Sequence, residues 1–235
     1  DVETNLGLGN SLDMIVGAIK GVGFMDLGYY CADVTGNASA MALNLQEGKL
    51  LDCFRAMELS GSFVLGAIVC TFLVNRGRRR HWHAAYAFSI LLEAVMLALL
   101  GLASAFMLFG PHSFIPALTL CFLMGLQNAT VTRISGSVVR TTHITGMLTD
   151  LGMEIADWLD AWWHKIGPEH RYTITQRLRL HLQIICCFIG GGVVGAFVYH
   201  VWPTYFLFVT AALLASCALP GMVANSLTSF AKRQT

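Results

Sequence analysis

The stretch Val131–Gly152, VTRISGSVVRTTHITGMLTDLG, puts Arg133, Arg140, His143 and Asp150 directly after the apolar run FIPALTLCFLMG. Glycines at Gly136 and Gly146 interrupt it. A bilayer core of about 30 Å is crossed by roughly 20 helical residues. The segment from about Phe114 to Trp158 is therefore far too long for one straight crossing. Charged side chains inside a span are costly and normally face an interior or a water-filled cavity. A polar, broken helix lining an internal path accounts for both features.

The rest of the chain sets that segment in a membrane. Of its 235 residues, 55% are hydrophobic and only 12% are charged, with a mean hydropathy of +0.61. A soluble domain carries about twice that share of charge. Further apolar segments run from about Ser11 to Leu45, Phe54 to Val74, Ala84 to Phe109, Leu182 to His200 and Thr204 to Val223. Lipid leaves backbone groups no partner outside the chain, so these segments are expected to be helices. The expected fold is an all-α integral membrane protein of six transmembrane helices, in which the first and fourth are broken.

Charge placement fixes an expected orientation. Arg76, Arg78, Arg79 and Arg80 fall between the second and third segments. Lys165, Arg171, Arg177 and Arg179 fall between the fourth and fifth, and Lys232 and Arg233 in the tail. With six crossings all three groups share the side of the N terminus, so both termini are expected to be cytoplasmic. A nucleic-acid surface would spread its basic residues along one face, so no nucleic-acid partner is expected. The seven cysteines (Cys31, Cys53, Cys70, Cys121, Cys186, Cys187 and Cys217) show no CxxC spacing and read as small buried hydrophobes. No metal or other cofactor is expected. The opening DVETNLGLGN has no basic region of the kind that begins a cleavable signal.

The two long segments are first and fourth in order, and each has a Thr-Gly pair near its middle: Thr35–Gly36 and Thr145–Gly146. VLGAIV around Gly66 is echoed by VVGAFV around Gly195. The chain thus divides into repeat one, about 11–109, and repeat two, about 114–223, within a single membrane domain. An odd number of crossings per repeat inverts the second relative to the first, an arrangement common in secondary transporters. Glycine tolerates a break and threonine caps the helix that follows. Thr35, Asn37, Asn128, Arg133, Arg140, Thr142, His143 and Thr145 are the candidate solute-binding residues. Asp26, Asp33 and Asp150 are candidates for coupling or for a charge network. Asp26 or Asp33 would pair with Arg133 or Arg140 across the repeats; an arginine left without a carboxylate would favour an anion, and an unpaired carboxylate a cation or a proton-coupling step. His143 and Asp150 are placed to carry protons or to gate, His143 equally to bond a neighbouring helix. Glu93 is a further acid within the third segment.

GLQNATVTRISGSVVRTTHITGMLTDLG and, earlier, VGFMDLGYYCADVTGN resemble the signature of the YoaK family, also called DUF1275, bacterial inner-membrane proteins of unknown function. The resemblance runs over roughly Leu12 to Met222, with Cys31 and Asp33 as a departure. It implies a bacterial multi-pass protein and supplies no substrate. The function expected from the residues is a small secondary transporter or channel for a small anionic solute. The alternative is a non-transporting scaffold or assembly partner held by a saturated charge network. No HExxH, GxSxG or phosphate-loop pattern is present, so nothing nominates an enzymatic nucleophile. The spaced small residues of GAIKG and GGVVG suit close helix contacts within the chain or between copies, so a homo-oligomer is a further expectation.

Overall fold

The computed structural model describes residues 14–19, 33–80, 86–108, 113–134, 144–164 and 167–231, with the backbone alone at Pro168, Thr204 and 220–231. Among these residues every regular element is a helix. Helix α1 covers residues 14–19. It is followed by α2 (Val34–Gln46), α3 (Leu50–Arg79), α4 (Ala87–Ala105), α5 (Ile115–Ile134), α6 (Ile144–Trp163), α7 (Pro168–Val201) and α8 (Pro203–Ala231).

Four of these, α3, α4, α5 and Glu169–Val201 of α7, are long and apolar enough to cross a bilayer, and α8 adds the shorter apolar stretch Tyr205–Leu219. Their outward faces are oily: Phe72 is 71% and Phe197 68% exposed. Water would not tolerate such faces along whole helices, whereas lipid does. The protein is an all-α, multi-pass membrane protein. Helices α3 and α7, at 30 and 34 residues, extend to about 45 and 51 Å and so overrun the hydrocarbon core. Arg171, Arg177 and Arg179, expected in a loop, are instead the first turns of α7. Arginine is a good helix former, and Pro168 at the helix start is preorganised for it. Helix α6 falls outside the span-like set because Asp150, Glu154, Asp157 and Asp160 lie along it.

The first long segment is interrupted, as its length predicts. Asp33 has non-helical dihedrals (φ −96°, ψ 77°), and its carboxylate accepts the Gly36 amide at 2.9 Å, starting α2. The cap is therefore Asp33 rather than Thr35, which sits in the first turn. A carboxylate at this position satisfies a free amide and also meets the positive end of the helix dipole. In the fourth segment α5 ends at Ile134 and α6 begins at Ile144, so Thr145 and Gly146, where the break was expected, stand in the first turn of α6; residues 135–143 lie outside the described residues.

Two close crossings organise the packing. Helices α3 and α5 run side by side in the same direction, pairing Ser62 with Leu118, Cys70 with Thr130 and Asn75 with Arg133. At their crossing a Cβ on Gly66 would overlap the Phe122 carbonyl, and one on Gly125 the Phe63 carbonyl. Helices α1 and α7 repeat this arrangement. A Cβ on Gly191 would strike the Met14 carbonyl, and one on Gly17 the Phe188 carbonyl. In all four cases the neighbour is backbone, so no side chain can swing away. Helix α2 then rests on α3, α6 on α7, and α4 packs along α8. The core is built from Leu97, Leu123, Met124, Ile184 and Leu214, all essentially inaccessible.

Gly66→Ala, Gly125→Ala, Gly17→Ala and Gly191→Ala should each lower stability by about 1–3 kcal/mol through overpacking. Gly61→Ala and Gly152→Ala, which meet nothing within 4 Å, should not. Thermal unfolding of the purified variants in detergent checks this.

Candidate functional site

Polar groups gather where α3, α4 and α5 meet, in three levels. The outermost lies at the arginine-bearing end of α3. There Arg78 donates to the Tyr86 hydroxyl and stacks over its ring at 5.7 Å. Tyr86 in turn donates to the Arg133 carbonyl at 3.1 Å. The Arg133 guanidinium donates to Asn75 Oδ1 at 3.2 Å. Its place in the last turn of α5 suits a cation, because the dipole there is negative. Arg133 is half-buried.

The second level is fully buried. Cys70 Sγ and Thr130 Oγ1 are 3.2 Å apart, and Ser89 Oγ reaches Cys70 Sγ at 3.8 Å. Thr130 also donates to the Leu126 carbonyl at 2.9 Å, so this level is largely satisfied from within.

The third level is not satisfied. Glu93 is 0% and Gln127 1% exposed. Neither carboxylate oxygen of Glu93, and neither amide atom of Gln127, has a hydrogen-bond partner among the described residues. Their height follows from the antiparallel register of α4 and α5. Tyr86 bonds at Arg133, and Ser89 is level with Thr130 through Cys70. Stepping one further turn inward on each helix brings Glu93 opposite Leu126 and Gln127. A buried polar group without a partner costs about 1–3 kcal/mol, and an ionised one more.

The residues singled out from sequence are distributed more widely. Arg133 belongs to the cluster, and Asn128 is half-buried on the same helix, its carbonyl accepting from Thr132 at 2.7 Å. Thr35 and Asp33 are exposed and Asn37 is half-buried on α2; Thr145 is exposed and Asp150 half-buried on α6. Helices α2 and α6 make no contact with each other among the described residues, so these side chains are not brought together. Asp26, Arg140, Thr142 and His143 lie outside the described residues. The expected pairing of Asp33 with Arg133 is not formed. Asp33 caps α2, and Arg133 has Asn75 and no carboxylate partner among the described residues. Ion pairs in the described part instead join Lys49 to Glu47, Arg55 to Asp52, His164 to Asp160 and His181 to Glu154.

The order of residues did not single out Asn75, Tyr86, Ser89 and Cys70 as members of one cluster, nor Glu93 and Gln127 as two buried groups at one height. The acid at Glu93 was the available signal, as a carboxyl in the middle of an apolar helix. Nothing in the order of residues says which neighbour stands at its height. No group of three or more His, Cys, Asp or Glu side chains able to hold a metal occurs among the described residues.

The His181–Glu154 contact, 2.9 Å with side chains only 11% and 13% exposed, is the main polar tie of α6 to α7. His181→Leu should loosen α6 at a cost of about 1–3 kcal/mol. Asp160→Ala, which removes the exposed pair with His164, should change stability by no more than about 0.5 kcal/mol. Thermal unfolding followed by helical circular dichroism separates the two.

Comparison with known proteins adds the family. The chain is 24% identical over 147 residues to the UPF0700 transmembrane protein YoaK of Bacillus subtilis (strain 168). That match covers 62% of this chain and 64% of the relative's length. No solved structure matches the chain. The family described as "Protein of unknown function (DUF1275)" matches residues 8–219. With nearly the whole chain covered, from before α1 to the end of the described side chains of α8, the protein belongs to the DUF1275 family of small membrane proteins.

Proposed function

We propose that this protein is a small secondary transporter or channel for a small anionic solute, in the plasma membrane of a bacterium. The carrying observation is Arg133: a half-buried guanidinium with one amide partner, Asn75, and no carboxylate partner among the described residues. In a low-dielectric bundle such a charge attracts an anion strongly. A scaffold held by a saturated network would pair this guanidinium with a carboxylate, and none of the described residues supplies one. Thr142, His143 and Arg140, which follow Arg133 in the sequence, would complete the anion path.

The architecture belonging to this reading is six crossings in two inverted repeats, with both termini cytoplasmic. The two glycine crossings support it. Phe63 and Gly66 of α3 meet Phe122 and Gly125 of α5, and Phe188 and Gly191 of α7 meet Met14 and Gly17 of α1, with the same three-residue spacing in each helix. The partner of Gly66 in the second repeat is thus Gly191, one turn before the Gly195 that the sequence echo suggested. The contact of α2 with α3 matches that of α6 with α7, and α4 against α8 would be the self-matching pair. The second break, between α5 and α6, would place Arg133 at the mouth of the path.

Reconstitution in proteoliposomes tests the function, with chloride, nitrate, acetate and phosphate as probes in turn. Arg133→Ala should cut flux at least about tenfold, equivalent to about 1.4 kcal/mol or more, while the protein remains folded. Asn75→Ala should have a smaller effect of the same sign. Silence of the parent protein towards all four anions, with the variants merely less stable, would favour the scaffold.

A further inference from the structure

A second property follows from the innermost level of the α3–α4–α5 cluster, and it does not depend on what the protein carries. Glu93 is the one charged residue of α4. It is wholly enclosed, the register of α4 against α5 puts it at the height of Gln127, and both residues have every polar side-chain atom unpartnered among the described residues. The four orphaned atoms are two carboxyl oxygens, one amide oxygen and one amide nitrogen. A carboxylate cannot satisfy this set, because it accepts only and the amide oxygen needs a donor. A carboxylic acid can: its O–H donates to the amide oxygen and the amide N–H donates to its carbonyl. One proton therefore satisfies all four atoms at once.

We infer that Glu93 is a reversible proton-binding site, and that the protonated form closes on Gln127 to join α4 to α5. The step is a proton transfer: hydronium gives one proton to the Glu93 carboxylate and is left as water, and the carboxylate becomes a neutral acid.

The surroundings favour a proton over a metal cation. Among the described residues, α3 brings the Cys70 thiol to the level just outside Glu93, and α5 brings Thr130 there and Arg133 one level further out. Arg78 shares the outermost level. The two arginines repel a metal ion approaching from that end, and a single carboxyl offers little to hold one. A proton instead can pass along hydroxyl groups, and Ser89 and Thr130 stand in between. Helix α8, packed along α4, has no Asp, Glu, Lys, Arg or His between Pro203 and Leu219; its titratable side chains there are Tyr205 and Cys217. Among the described residues no second acid on α3, α5 or α8 stands at this level to share the Glu93 proton. Ser89 and Glu93 lie one turn apart on α4. Glu93 is seven residues from Tyr86, about 10 Å along the helix axis, so the site is close enough to that end to exchange with water through the second level.

The experiment is infrared difference spectroscopy of the full chain in liposomes, stepped from about pH 5 to about pH 10, a range wide enough for a buried carboxyl. The parent protein should show a protonated-carboxyl C=O band that declines as pH rises, and Glu93→Gln should lack it. Gln127→Leu should keep a titrating band but shift it to higher frequency, because the acid loses its partner. Identical spectra for the parent and Glu93→Gln at every pH would overturn the inference, as would a Glu93 band that never declines. If Glu93→Gln does not fold, Gln127→Leu decides: a shifted, titrating band supports the site and an unshifted one overturns it. Absence of anion flux would leave this titration untouched, so the two readings fail separately.

Discussion

The close approach of α3 to α5 is the constraint on which the rest depends. Glycine at Gly66 and Gly125 lets the two backbones touch, and without a hydrophobic drive between helices in lipid, contact of this kind supplies much of the packing. The crossing also sets the axial register of the two helices. Because they are locked together there, Cys70 must meet Thr130 and Asn75 must meet Arg133 further along. The polar cluster is thus a consequence of the seam, and α4, bound through Tyr86 and Ser89, completes it.

The seam at Gly17 and Gly191 uses the same device between α1 and α7, but the niche beside it differs in chemistry. A cavity of about 390 Å³ there is lined by Met14, Ile15, Val194, Phe206 and Leu213 among others, with Thr210 and Ser216 as its hydroxyls. The niche at α3, α4 and α5 is instead filled with an acid, an amide, hydroxyls and a thiol. Equal backbone geometry with unequal side chains concentrates the polar chemistry at one of the two crossings. In the α1–α7–α8 niche, apolar surface suffices to hold the helices. In the other, polar atoms are retained at a cost in stability, which packing alone does not require.

Two residues illustrate how far local sequence went. The interruption before α2 was legible from length, glycine content and the Thr-Gly pair, but its cap was placed two residues late. Asp33 outcompetes Thr35 because its carboxylate both accepts the Gly36 amide and meets the helix dipole. Arg133 was legible as an intramembrane cation, yet its partner was expected among the acids of the first repeat. Asn75 holds it instead, a residue at the far end of another helix that sequence reading had no reason to single out.

What the sequence by itself determined is the membrane setting, the helical segments, the interruption ahead of α2 and the unusual polarity of the chain after Gly125. These follow from composition, run length and the cost of unpaired backbone in lipid, all of which are local. Only the tertiary structure decided which glycine faces which carbonyl, that the register of α4 and α5 puts Glu93 at the height of Gln127, and that Thr35 and Thr145 belong to helices with no contact among the described residues. Helical periodicity fixes the faces of one helix but not its rotation and height against a neighbour. Those are set by interlocking contacts between residues far apart in the chain, and no stretch of sequence carries them alone.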